Sequence, residues 1–227
     1  MPYLALRRRF IPALVVAVSL ITSAVTLVEP AMAADFAPIP LDRLIGTSTA
    51  IVLGDVATVK DGTFTLRVTQ TLAGRVGSEI EIRQYIPSRF EGTPRPAPYK
   101  AGQSFLLFLV SDGANASGAW KILGAGGEGE MPVDRGFAYF HGRNVPGFPS
   151  GTYRVHDAER NIQRVELPSL LDAVKGYRAC FEWKPGSGEQ TPPAGRCDGA
   201  ALETFAKTSA IHRHLAQLTA TRLKSRA

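Results

Sequence analysis

The chain has 227 residues, with 26 Lys and Arg against 20 Asp and Glu, a formal charge of +6. Hydrophobic residues make up 44% and charged residues 20%, which supplies enough apolar side chain for a core and excludes an intrinsically disordered chain. Only one apolar run approaches spanning length, so a multi-span membrane protein is excluded as well.

That run opens the chain. Arg7, Arg8 and Arg9 form a positive start, Phe10 to Val28 carries no charge, and Ala31-Met32-Ala33 puts small residues at both specificity positions for signal peptidase. Residues 1–33 read as a secretory signal cleaved after Ala33, which makes the protein periplasmic or secreted. Pro12, Ser19, Thr22, Ser23 and Thr26 count against a retained anchor. Export sets the cysteine chemistry: Cys180 and Cys197 are the only pair, and an oxidising compartment joins them. Closing a loop of this size stabilises by about 3 kcal/mol in chain-entropy terms. A redox pair usually sits two residues apart, and two sulfurs do not complete a zinc shell.

After a short lead-in from Ala34 to Pro40, Leu41 to Ile45 reads as a helical turn. Ala50 to Val59 is a Val- and Ile-rich strand that ends at Asp61-Gly62, a hairpin signal because both residues tolerate positive φ. The return strand alternates, with Phe64, Leu66 and Val68 on one face and Thr65, Arg67 and Thr69 on the other. Ile80, Ile82 and Ile86 alternate in the next strand. Pro87 to Gln103 holds four prolines and reads as loop. Phe105 to Val110 is apolar throughout, which suits a strand buried on both faces, with Trp120 to Leu123 as its hairpin partner. Gly124 to Gly136 reads as a flexible stretch. Phe137 to Phe140, Thr152 to His156 and Ile162 to Leu167 are short strands. The period then changes. Pro168 suits a first helical turn, and Leu170, Leu171, Val174, Tyr177 and Phe181 follow helical spacing. Asp198 is placed to cap one last helix running to about Leu223.

Few residues carry catalytic signatures. Gly124 to Gly129 matches a dinucleotide-loop pattern, but Met131-Pro132-Val133 follows where a helix start is required. His212 and His214 are two apart and diverge by about 200° on a helix, so they do not share a metal; they read as solvated or half-buried. His156-Asp157 points to opposite faces of a strand, and His141-Gly142 has no matching nucleophilic cysteine. Glu128 and Glu130 lie in the glycine stretch, where solvation is expected. No Gly-x-Ser-x-Gly elbow occurs. Asn115-Ala116-Ser117 fits a glycosylation turn. Arg89, Phe90, Arg95 and Tyr99 in the Pro-rich loop form a candidate partner surface, with Phe90 and Tyr99 alternatively pinning the loop to the barrel.

The order hairpin strand, alternating strand, strand, long loop, buried strand and strand suits a closed five-stranded OB-like barrel. The residues Ala50-Ile51-Val52-Leu53-Gly54-Asp55-Val56, Leu66 to Gly74 and Tyr99 to Leu109 resemble the netrin-like OB modules, a family that includes the tissue inhibitors of metalloproteinases. The resemblance spans residues 48–125. It implies an OB fold and a metalloprotease-interacting or inhibitory role. Those inhibitors chelate the protease zinc through an N-terminal cysteine, and Ala34 stands at the expected mature terminus here.

The reading is therefore mainly β: a signal peptide (1–33), an OB-like barrel domain with extra short strands (34–167), and two C-terminal helices (168–227) joined by a disulfide. The expected function is a non-catalytic binding module of the envelope or secreted fraction, with no cofactor, and an unknown protein or envelope component as partner. A metalloprotease-interacting module and an unrecognised hydrolase are the alternatives. The charge sharpens this. Residues 34–203 carry a net −1, whereas residues 204–227 carry +5 through Lys207, Arg213, Arg222, Lys224 and Arg226. A neutral barrel gives no support to nucleic-acid binding. The tail Arg222, Lys224 and Arg226 is expected to touch an anionic surface and to be dispensable for folding, although cations there also complement a helix dipole.

Overall fold

A computed structural model describes residues 38–84, 99–111, 118–124, 127–140, 145, 147–155, 158–184 and 193–224. The signal segment, Arg89, Phe90 and Arg95, the Asn115-Ala116-Ser117 turn, His141, His156 and Arg226 lie outside the described residues. The elements are α1 (Leu41–Thr47), β1 (Ala50–Lys60), β2 (Thr63–Ala73), β3 (Glu79–Arg83), β4 (Ser104–Ser111), β5 (Trp120–Ile122), β6 (Glu130–Asp134), β7 (Phe137–Tyr139), β8 (Ser150–Val155), β9 (Ala158–Glu166), α2 (Leu167–Cys180), β10 (Phe181–Glu182), β11 (Ala194–Gly195), α3 (Gly199–Thr208) and α4 (Ala210–Lys224).

Asp61-Gly62 turns β1 into β2, with Lys60 opposite Thr63 and Gly62 at φ 72°. β2 pairs β3, β3 runs parallel to β5, β5 pairs β4, and β4 returns to β1. That ring closes five strands into the small barrel. β6, β7, β9 and β8 then extend outward from β4 in that order.

The period of two in β1 and β4 divides the apolar residues between two cores. Ala50, Val52 and Val56 join Phe105, Leu107 and Leu109 inside the barrel, with Phe64, Leu66, Ile80, Ile82 and Ile122. Ile51, Leu106 and Phe108 face the other way, into a second core with Leu44 and Ile45 of α1, Leu170, Val174 and Tyr177 of α2, and Ile211 and Leu215 of α4. The apolar run at 105–109 is buried on both faces because it serves both cores.

Two features depart from the sequence reading. The flexible stretch expected at 124–136 contains strand β6, with Leu107 opposite Glu130 and Ser104 opposite Val133. The single last helix is two: α3 starts on Asp198, whose carboxylate accepts the Ala201 amide, and ends at Ser209, which is extended (φ −160°, ψ 176°), before α4 begins. An extended residue breaks the ladder without a Gly or Pro to announce it.

The helical layer is fastened at two places. Cys180 and Cys197 form the expected disulfide, a bond of oxidising compartments, and β10 and β11 pair beside it. Asp42, fully buried in the first turn of α1, receives Arg222 Nε from the last turn of α4 at 2.7 Å, and Nη2 lies 3.5 Å from the second oxygen. The Arg222 guanidinium also sits 5.8 Å over the Trp183 ring. Trp183 Nε1 donates to the Tyr177 hydroxyl, which bonds Thr219 at 3.0 Å. Burial pushes the Tyr177 phenol well above its usual pKa. Arg178 closes the end of α1, donating to the carbonyls of Ile45, Gly46 and Ser48. Arg222 is thus part of the fold and not of a free tail. This corrects the expectation that the tail from Arg222 onward is dispensable. Lys224 is exposed at the end of α4. Among the described residues, no helix is long and apolar enough to cross a membrane.

Removing one partner of a buried ion pair leaves the other charge uncompensated, at about 3 to 5 kcal/mol. Arg222→Ala should therefore destabilise by about that amount in urea unfolding, and Lys224→Ala should change stability by less than about 0.5 kcal/mol. A mild effect at Arg222 would show that the clasp is not structural.

Candidate functional site

The candidate residues of the Pro-rich loop separate. Tyr99 is 4% exposed, stacked on Phe64 at 4.2 Å and edge-on to Phe105 at 5.8 Å. Its hydroxyl donates to Glu130 Oε2. Tyr99 therefore pins the loop to the barrel and is not a partner surface. Arg89, Phe90 and Arg95 lie outside the described residues.

Glu128 and Glu130 were expected in water and are both buried. Glu130 faces the barrel interior across from Leu107 and meets Tyr99 there. Glu128 Oε1 accepts the Ile39 amide at 3.1 Å, which ties the lead-in segment to this turn. The surrounding glycines make room for that side chain. A Cβ on Gly124, at φ 99°, would lie 2.4 Å from Glu128 Oε2, and one on Gly129 would lie 2.1 Å from the Leu123 carbonyl. The glycine pattern therefore seats a carboxylate and leads into β6; no helix start follows it to hold a pyrophosphate.

His212 is buried, in contrast to the solvated or half-buried reading. Its ring lies between Ser209 Oγ, 2.8 Å from Nδ1, and Asp172 Oδ2, 3.4 Å from Nε2. The order resembles a nucleophile, base and acid. The geometry is that of a helix start. Ser209 immediately precedes α4 and His212 is three residues later, the spacing of a reciprocal capping pair. The Asp172 side chain is 68% exposed and beyond good hydrogen-bond distance, so it does not hold the ring firmly. Desolvation lowers the His212 pKa, against a smaller opposing pull from Asp172. Burial thus favours the neutral ring, and Nδ1 and the Ser209 hydroxyl share one hydrogen bond. His214 points elsewhere, with its ring 6.0 Å from Phe148.

The concave site lies outside the barrel, where β7 and β9 meet the starts of α2 and α4. It is a cleft of about 270 Å³ lined mainly by apolar groups, including Phe137, Phe148, Val165 and Ile211, with Ser169 and Ser209 among the polar ones. Arg164 forms part of its wall. The guanidinium carbon sits 4.1 Å over the Phe137 ring, and Nε is buried without a hydrogen-bond partner. Gly151 on β8 supplies its seat, since a Cβ there would come 2.6 Å from Nε. The first amides of α4, on Ala210 and Ile211, make no hydrogen bond to a described residue. Glu166 also borders the cleft; it is exposed and forms no ion pair with Arg164. A stacked, uncommitted guanidinium beside free helix-start amides suits a carboxylate or phosphate, and the aromatic walls suit an apolar body. Among the described residues no group of His, Cys, Asp and Glu is placed to hold a metal.

Sequence reasoning did not reach Arg164, Gly151 or Ser209. Arg164 becomes a site residue only once β9 is paired with β7, where it sits opposite Tyr139 and diagonal to Phe137. The one available signal was weak: a Ser-x-x-His spacing inside an otherwise helical run.

Tyr99→Phe removes a donor from a buried carboxyl and should cost about 1 to 3 kcal/mol in denaturant unfolding, with Glu130→Gln costing less because it keeps an acceptor. His212 binds a proton less readily folded than unfolded. As pH falls below about 6.5 the unfolded chain gains a proton that the folded chain resists, so stability falls. Urea midpoints should drop between pH 7.5 and 5.5, and His212→Gln should flatten that drop. An unaltered slope in the variant would place the sensitivity elsewhere. Comparison with protein-family models, with characterised proteins and with solved structures finds no match to this chain.

Proposed function

We propose that the chain is an exported, non-catalytic binding module, released by cleavage after Ala33, whose cleft between β7, β9 and the starts of α2 and α4 holds an anionic group attached to an apolar body. One observation carries this reading: the Arg164 guanidinium, stacked on Phe137, lines an apolar cleft and forms no ion pair with a described residue. The disulfide between Cys180 and Cys197 is in keeping with export, and supports a periplasmic or secreted setting. The non-catalytic reading rests on Asp172, which is too exposed and too distant to orient the His212 ring as a base. The partner belongs to the envelope or secreted fraction in this reading.

Binding of 4-phenylbutyrate and of the matched neutral alcohol, 4-phenylbutanol, to the purified protein tests it by NMR shift perturbation. The carboxylate should bind at least about tenfold tighter than the alcohol, since charge-assisted bonds are worth about 1.5 to 3 kcal/mol. Arg164→Met should remove that preference, and resonances of Phe148 and Ile211 should move in the unmodified protein. Equal binding of the two compounds, or none of either, would reject the reading.

A further inference from the structure

Helix α3 is held to the rest of the fold by very little. Phe205 is its only buried residue, with Leu202 and Ala206 half-buried beside it. Its polar side chains bond within the helix: Thr204 donates to the Ala200 carbonyl, Thr208 donates to the Thr204 carbonyl, and Lys207 pairs with Glu203 at 2.6 Å. Among the described residues, no side-chain hydrogen bond or ion pair from α3 reaches α2 or α4. Both ends of α3 are tethered. Cys197, just before its start, is bonded to Cys180 at the end of α2. At the other end the extended residue Ser209 alone separates it from α4. One extended residue between two helices absorbs a change of direction at little cost, which is how a hinge works.

Phe205 enters a slot with two walls. On the α2 side it meets Gly176, where a Cβ would come 3.0 Å from Phe205 Cε2, so the ring lies against backbone. On the α4 side it stands edge-on to the His212 ring, with centroids 4.8 Å apart. The anchor of α3 therefore rests on a buried histidine. The polar groups facing that histidine are the Ser209 hydroxyl from the hinge and the Asp172 carboxylate from α2. The other nearby charges turn away. Lys175 of α2 and Arg213 of α4 are exposed, Glu203 and Lys207 of α3 pair with each other, and His214 lies against Phe148. Burial opposes a proton on His212 and outweighs the pull of the exposed Asp172. Lifting Phe205 would open the ring to water and remove that opposition, so acid favours the lifted arrangement.

We propose that α3 is a flap, hinged at Ser209 and tethered by the disulfide, that lifts off α2 when His212 takes up a proton. The barrel, α2 and α4 stay in place, because Leu170, Val174, Ile211 and Leu215 remain in their shared core and Arg222 remains on Asp42. The device does not depend on what the cleft binds. It gives the protein a surface present only in acid, formed by the Gly176 side of α2 and the His212 side of α4.

Native-state hydrogen exchange read by mass spectrometry tests this on the purified protein with its disulfide intact. Rates are compared at pH 7.5 and 5.5, without urea and in low urea, after correction for the intrinsic pH dependence of amide exchange. Amides from Leu202 to Thr208 should exchange up to about tenfold faster at pH 5.5, the ceiling for one histidine that titrates near 6.5 when lifted and lower when closed. Their rates should not respond to low urea, because a local opening exposes little surface, whereas amides of β1 and β4 should speed up as in global unfolding. His212→Gln should remove the pH dependence of α3, and Phe205→Ala should speed α3 exchange at both pH values. The comparison in unmodified protein stands even if either variant fails to fold. Equal α3 rates at the two pH values overturn the proposal. An α3 with the protection and urea response of β4 overturns it too, because the helix then opens only with the whole fold. So does a folded His212→Gln variant that keeps the pH dependence.

Discussion

Strand β4 has no face left for water, and most of the architecture follows from that. Its residues 105, 107 and 109 fill the barrel, and 106 and 108 point out of it. A five-stranded barrel could close without help, but its outer wall at Ile51, Leu106 and Phe108 would then remain apolar and exposed. The helices are therefore not an appended domain. α1, α2 and α4 cover that wall, and the 34–167 and 168–227 segments share a single core on this side. Each apolar side chain buried there contributes about 1.5 to 3 kcal/mol, so the helical layer is held first by area and only then by its fastenings.

The fastenings fix orientation. The disulfide joins the end of α2 to the start of α3. The Asp42–Arg222 pair joins the first turn of α1 to the last turn of α4, which places each charge where its helix dipole favours it. Apolar packing alone tolerates sliding, whereas a buried carboxylate accepts one partner in one place. With α2 and α4 so held, the starts of these helices meet against β9 and make a concavity. The cleft is thus a consequence of how the barrel wall is covered.

Legibility in the sequence followed the range of the interactions. The β1–β2 hairpin, the alternation in β2 and β3, the two-sided burial of β4 and the Asp198 cap depend on neighbours in sequence, and all were readable. β6 was missed because Pro132 and two carboxylates argue against a strand, and the buried Glu130 is compensated by Tyr99, 31 residues earlier. Arg222 looked like a solvated tail cation because Asp42 lies 180 residues earlier. The cleft was illegible for the same reason. It is assembled from β7, the segment before β8, β9 and two helix starts, none of which carries a motif.

Three arginines in this protein show what a partly buried guanidinium requires. Arg178 spends its donors on three carbonyls at the end of α1, and Arg222 is matched to a buried carboxylate. Both are accounted for by the fold. Arg164 has the stacking contact with Phe137, worth about 0.5 to 2 kcal/mol, and a buried Nε without an acceptor, which costs about 1 to 3 kcal/mol. The two roughly cancel, so the folded state gains little from placing an arginine there. A methionine would pack on Phe137 at no such cost. Nε itself is closed to solvent, so an anion entering the cleft would have to bond the terminal nitrogens of a guanidinium oriented by the ring beneath it and by Gly151 behind it. The same arrangement explains why the apolar walls must be shared with the anion: in water a guanidinium–carboxylate pair is weak, and it strengthens only where the ligand's own body excludes solvent from the contact.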